Sequence, residues 1–215
     1  WLTPQLAGQA YPDAPLYYWL AALMAQLFSW LLPVHGAMRL TSGLATLLTL
    51  EFILLAAREL HGRDQAATAP LMLAGSIGFL FHAHEAQPML LALAAHTAAY
   101  WALILCPRRP YFSASVLGSA LATSFLADGL LPLLALLPVT VLAVFLTRER
   151  KKMFAPLAVA LILALAIVAL WLVPLQLSAP HFFAAFWANE WNTLTEPVAM
   201  FANTWHYLNL LLWYA

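Results

Sequence analysis

The chain has 215 residues, of which 64% are hydrophobic and only 8% charged, with nine basic and nine acidic side chains and a mean hydropathy of +0.83. A soluble domain carries about 25% charged residues, so this composition excludes one and describes an all-α, polytopic transmembrane helix bundle. Zero net charge argues against nucleic acid as a partner, and the single cysteine, Cys106, excludes an intrachain disulfide.

Residues 1–33 read as an outer-face loop followed by a juxtamembrane helix. Pro12 and Pro15 fix an extended or turning segment around Asp13, because proline cannot continue a helix. Leu16 to Leu32 is an apolar stretch of 17 residues, at the short limit for crossing a bilayer. Its Tyr17, Tyr18, Trp19, Phe28 and Trp30 are residue types that settle at the membrane interface. It is read as an interfacial amphipathic helix on the outer face.

Residues 34–175 are predicted to hold six spans: Gly36 to Leu60, Ala66 to Phe81, Met89 to Cys106, Phe112 to Ala127, Leu130 to Thr147 and Met153 to Leu175. The second and fourth are short, which calls for tilt or local thinning of the bilayer. Cys106, beside Pro107 at a membrane edge, reads as a plain apolar thiol. Residues 176–204 are predicted to be a long outer loop rich in aromatic side chains, and 205–215 the start of a seventh span. The chain is expected to be a fragment of a longer protein, lacking both ends.

Basic residues are retained on the cytoplasmic side of membrane proteins. Alternating spans put Arg58 and Arg63, Arg108 and Arg109, and Arg148, Arg150, Lys151 and Lys152 on one side, eight of the nine basic residues. Arg39 alone lies opposite. That outer face then gathers Asp13, His35, His82, His84, Glu85, Asp128, His181, Glu190, Glu196 and His206, roofed by the aromatic residues of 176–204.

Several of these residues suit chemistry. An isolated guanidinium at the start of a membrane helix is costly unless paired, and it suits bidentate binding of phosphate; the plain alternative is an arginine snorkelling at a helix end. His82, His84 and Glu85 form an H-x-H-E cluster that suits a divalent metal, a phosphate or acceptor group, or simple interfacial polarity. Asp13 is a candidate general base, although turns also favour Asp for local hydrogen bonding. Asp128-Gly129 reads as a tight turn or a substrate contact. Glu51 and His96 sit at mid-depth of their spans and are expected to hydrogen-bond to each other.

The order of features resembles a known family. Tyr11-Pro12-Asp13-Ala14-Pro15-Leu16-Tyr17-Tyr18-Trp19-Leu20 resembles the Y-x-K-P-P-L-Y-Y-W-L segment of bacterial GT-C membrane glycosyltransferases. That group includes protein O-mannosyltransferases and aminoarabinose–lipid A transferases. Arg39-Leu40-Thr41-Ser42-Gly43-Leu44 is similar to the family's R-L-P-S-A-L, and Ala57-Arg58-Glu59-Leu60-His61-Gly62-Arg63 to A-R-R-L-F-G-R. Ser124 to Gly129 is similar to A-F-L-T-K-G. The chain departs from the pattern where Asp13-Ala14-Pro15 replaces Lys-Pro-Pro and Asp128-Gly129 replaces Lys-Gly. His82 to Gln87 also stands where R-x-x-x-x-D is usual.

The resemblance implies an inverting transfer of a sugar from a polyprenyl-phosphate carrier to a lipid, glycan or protein acceptor, at the outer face of a bacterial cytoplasmic membrane. Asp13 and Glu85 are then the catalytic candidates. Arg39, His82, His84, Tyr17, Tyr18, Trp19 and Asp128 are the substrate-binding candidates, with a divalent metal on His82, His84 and Glu85 as a weaker possibility. The family's principal acid would lie before Trp1, so the fragment alone is expected to be inactive. Membrane lipid and the polyprenyl-linked sugar are the expected partners. The competing readings are a transporter or lipid flippase, and an O-antigen polymerase or ligase.

Overall fold

The computed structural model describes residues 2–6, 9–83, 85–146 and 150–195. Two short strands, β1 (Gln5–Leu6) and β2 (Gln9–Ala10), pair antiparallel ahead of the helices. The helices are α1 (Leu16–Phe28), α2 (Val34–His61), α3 (Thr68–Ala74), α4 (Ile77–His82), α5 (Pro88–Leu105), α6 (Pro110–Asp128), α7 (Leu130–Leu146) and α8 (Arg150–Ser178). A further helix, α9, covers residues 180–195.

Local chemistry sets the boundaries. Pro88 and Pro110 occupy the first helical positions of α5 and α6, where a missing N–H removes nothing. Gly62 ends α2 at φ +82° and Gly129 ends α6 at φ +77°; each N–H returns to a carbonyl four residues back, Arg58 O at 3.1 Å and Phe125 O at 2.8 Å. Arg58 and His61 lie in the last turn of α2, where positive charge complements the helix dipole.

Among the described residues the bundle is all-helical beyond the β1–β2 pair, and α6 is its centre. Ala98, Ala99 and Ala102 of α5 pack on Ala114, Leu117 and Leu121 of α6, with Ala160 and Ala164 of α8 on the same core. At Gly118 α6 comes close to α8: a Cβ built there would lie 2.6 Å from the Ala160 carbonyl oxygen. Only hydrogen fits at that crossing, the small-residue packing by which membrane helices associate.

Among the described residues three helices, α2, α5 and α8, are long and apolar enough to cross a membrane, while α1 and α7 are shorter apolar helices. α6 carries five Ser and Thr residues and falls outside both groups. Its Ala114, Leu117 and Leu121 pack in the core with α5 and α8, whereas Ser115 and Ser119 are exposed beside α2 and α5. At 13 residues α1 is about 20 Å long, too short to cross, and it packs against α2 and α6.

Two expectations are corrected. The span predicted for Ala66 to Phe81 is two short helices, α3 and α4, parted at Gly75-Ser76. There Ser76 is extended (ψ 134°) and its Oγ bonds back to the Leu73 carbonyl at 2.8 Å. The loop predicted for 176–204 is helix over most of its described length: α8 runs to Ser178, and α9 begins at Pro180, again at a first helical position. The predicted seventh span, 205–215, lies outside the described residues.

Candidate functional site

One end of the bundle carries the N-termini of α2, α5 and α7 and the C-termini of α6 and α8. Tyr17 of α1 packs there with Ala45 and Met38 of α2, Leu90 and Leu91 of α5 and Ala127 of α6. Its hydroxyl meets Ser42 Oγ at 3.0 Å. The N-terminal segment is tied across the same end, because Trp171 Nε1 donates to the Leu2 carbonyl (3.1 Å) and Asn189 Nδ2 to the Pro12 carbonyl (3.1 Å). At the opposite end, Arg108 after α5 forms an ion pair with Glu59 of α2.

Three carboxylates from three elements approach one another at the first end. Asp13, in the turn before α1, accepts the Tyr18 hydroxyl at Oδ2 (2.9 Å) and the Ala14 N–H at Oδ1 (2.9 Å). Asp128 closes α6; burial, reinforced by the nearby Asp13 charge, raises its pKa from 3.8 to about 6. Glu190 of α9 is 5% exposed and accepts the Leu130 N–H at 2.6 Å, one of the donors left free at the start of α7. Burial raises its pKa, the Leu130 hydrogen bond opposes this, and the Asp13 and Asp128 charges add to it.

Gly129 makes this arrangement possible. A Cβ there would collide with the Glu190 carboxylate, and φ +77° disfavours any side chain. α9 is held over the group by its own apolar face: Phe182, Phe186 and Glu190 recur every four residues on the buried side. Phe186, fully buried, meets Trp171 edge-on at 5.2 Å and Phe125 at 6.1 Å. Trp19 packs at the edge of this cluster. Asn189 carries no signal in the sequence, and Glu190, expected on the outer face as a solvated side chain or a substrate contact, is instead buried on the four-residue recurrence of α9.

A second group lies around Arg39. Arg39 and His35 of α2 are exposed and line an open cleft of about 480 Å³ with Glu85 and Gln87. Glu85 Oε2 is held by His82 Nδ1 at 2.8 Å and by Gln87 Nε2 at 2.5 Å. Met38 lines this cleft and packs with Tyr17 and Tyr18, so the Asp13 group and the Arg39 cleft border one apolar cluster. The two catalytic candidates thus sit in different groups, Asp13 with Tyr18, Asp128 and Glu190, and Glu85 with His82 and Arg39. His84, Glu196 and His206 lie outside the described residues.

Among the described residues, no three of His, Cys, Asp and Glu are gathered as a metal ion would need. The expected Glu51–His96 bond does not form. His96 Nε2 instead donates to the Pro132 carbonyl at 2.9 Å, with Ser124 Oγ at 3.4 Å, while Glu51 is exposed on α2. Comparison with protein-family models, with curated proteins and with solved structures finds no match to the chain.

Proposed function

We propose that the chain is the membrane-embedded part of a glycosyltransferase that moves a sugar from a polyprenyl-phosphate carrier to a lipid, glycan or protein acceptor. In this reading the membrane is a bacterial cytoplasmic membrane and the site faces away from the cytoplasm. The observation that carries it is the meeting, at one end of an apolar bundle, of a hydrogen-bonded carboxylate group and a cleft lined by an exposed arginine.

The roles follow from charge and hydrogen bonding. The acceptor hydroxyl attacks the anomeric carbon and gives its proton to the Asp13 carboxylate, which Tyr18 and the Ala14 N–H hold in place. The bond from that carbon to the carrier phosphate breaks, and the leaving phosphate keeps the electron pair. Arg39 meets the phosphate charge as it develops, with His35 beside it. Glu85, fixed by His82 and Gln87, orients polar groups within the cleft. The carrier's isoprenoid tail stays in the bilayer.

The test is transfer of a radiolabelled sugar from a polyprenyl-phosphate donor by the complete protein in proteoliposomes. Arg39→Ala and Asp13→Asn are each expected to reduce turnover by about 100-fold or more with insertion unchanged. Near-normal turnover in both would remove this chemistry. Movement of the labelled lipid across the bilayer without transfer would instead identify a flippase.

A further inference from the structure

Glu51 is an acid in the wrong place for a helix that faces only lipid. α2 runs from Val34 to His61, and Glu51 lies ten residues from its C-terminal end, about 15 Å at the helical rise. A glutamate side chain spans only a few ångströms, so it cannot reach water from there as a long cation near a helix end does. Yet Glu51 is exposed, with no hydrogen-bond or ion partner among the described residues. Its neighbours on the face, Leu44, Leu47 and Leu48, are exposed by 42%, 65% and 37%. Their spacing of three and four residues makes one continuous stripe along α2.

The same side of the bundle is unfilled in a second place. Leu48 also lines an apolar hollow of about 360 Å³ bounded by α2, α5 and α6. Trp101 borders that hollow, and its indole Nε1 is buried without a hydrogen-bond partner. A stripe of leucines beside a hollow accepts the ridges of another helix. A carboxylate within the stripe at mid-depth selects which helix.

We propose that the Leu44–Leu47–Leu48–Glu51 face of α2 is a docking surface for another membrane helix that carries a basic side chain at the depth of Glu51. Charge complementarity fixes this occupant. A lipid chain has nothing to offer a carboxylate, and a second copy packed α2 against α2 would bring no basic side chain to this depth, because the arginines of α2 are Arg39 and Arg58. The inference stands apart from the sugar-transfer reading, because it concerns the flank of α2 and not its N-terminal end.

The test uses the full chain in liposomes with a membrane-spanning leucine–alanine peptide bearing one central lysine and a photoreactive diazirine residue one turn away. A matched peptide has leucine in place of the lysine. Photolysis followed by peptide mapping is expected to place the label on residues 40–55, with the lysine peptide exceeding the leucine peptide by about fivefold or more. Glu51→Gln, an exposed change that opens no cavity, is expected to bring the two peptides level. Leu47→Trp, which keeps the acid but blocks the stripe, is expected to reduce labelling by both. Equal labelling by the two peptides in the unaltered chain, label spread evenly over α2 and α8, or α2-to-α2 adducts unaffected by the peptide would each overturn the proposal.

Discussion

At Asp128 the chain ends a helix inside the bundle and sets a carboxylate within reach of Asp13, and the two effects together lift its pKa from 3.8 to about 6. A carboxyl that binds its proton more tightly when folded contributes stability in full below the unfolded pKa, and that contribution is lost as pH rises through the folded value. Asp128 therefore destabilises the fold at neutral pH relative to pH 4. Asp128→Asn is expected to raise the melting temperature near pH 7 and to flatten its decline between about pH 4 and pH 6, read by thermal unfolding in detergent. A pH profile identical to that of the unaltered protein would contradict this assignment. One residue on, Gly129→Ala places a methyl group against Glu190 at φ +77°. It is expected to cost about 1–3 kcal/mol and to expose 180–195 to protease; unchanged melting and cleavage would count against the Glu190 contact.

Elements differ in how much of them the sequence discloses. α2, α5 and α8 are plain in it, because long apolar runs bounded by Pro, Gly and charge leave no other reading. α9 was hidden by its composition: Trp, Asn, Glu and Thr suggest an exposed loop, while the decisive four-residue recurrence of Phe182, Phe186 and Glu190 is spread thinly among them. The α3–α4 break is marked by Gly75-Ser76, a pair easily read through when only apolar length is counted. Helix rotation is the least legible property. In a nearly uniform apolar helix no polar stripe reveals the inner face, so His96 turned toward Pro132 and Glu51 toward the outside with nothing in the local sequence to announce either. The packing of α6 on α8 gives an element-level prediction. Gly118→Val, which sets a branched side chain against the Ala160 carbonyl, is expected to destabilise the bundle by about 1–3 kcal/mol in thermal unfolding. Retention of the parent melting temperature would show that the helices are not so close.

For the molecule as a whole, the two ends of the bundle differ in kind. One gathers Asp13, Asp128, Glu190 and the Arg39 cleft, and the other holds the Arg108–Glu59 pair. That division was legible in the spacing of basic residues. The split of the polar end into two groups about one apolar cluster was not, because it depends on how α1 lies across α2. Sugar transfer at the Arg39 end requires the two ends to face opposite sides of a membrane. The most direct measurement is labelling of His35→Cys and Arg109→Cys, each in a Cys106→Ala background, with a membrane-impermeant thiol reagent in intact cells. The expected result is that the cysteine at 35 reacts at once and the one at 109 only after permeabilisation; reaction of both in the same compartment would contradict the account.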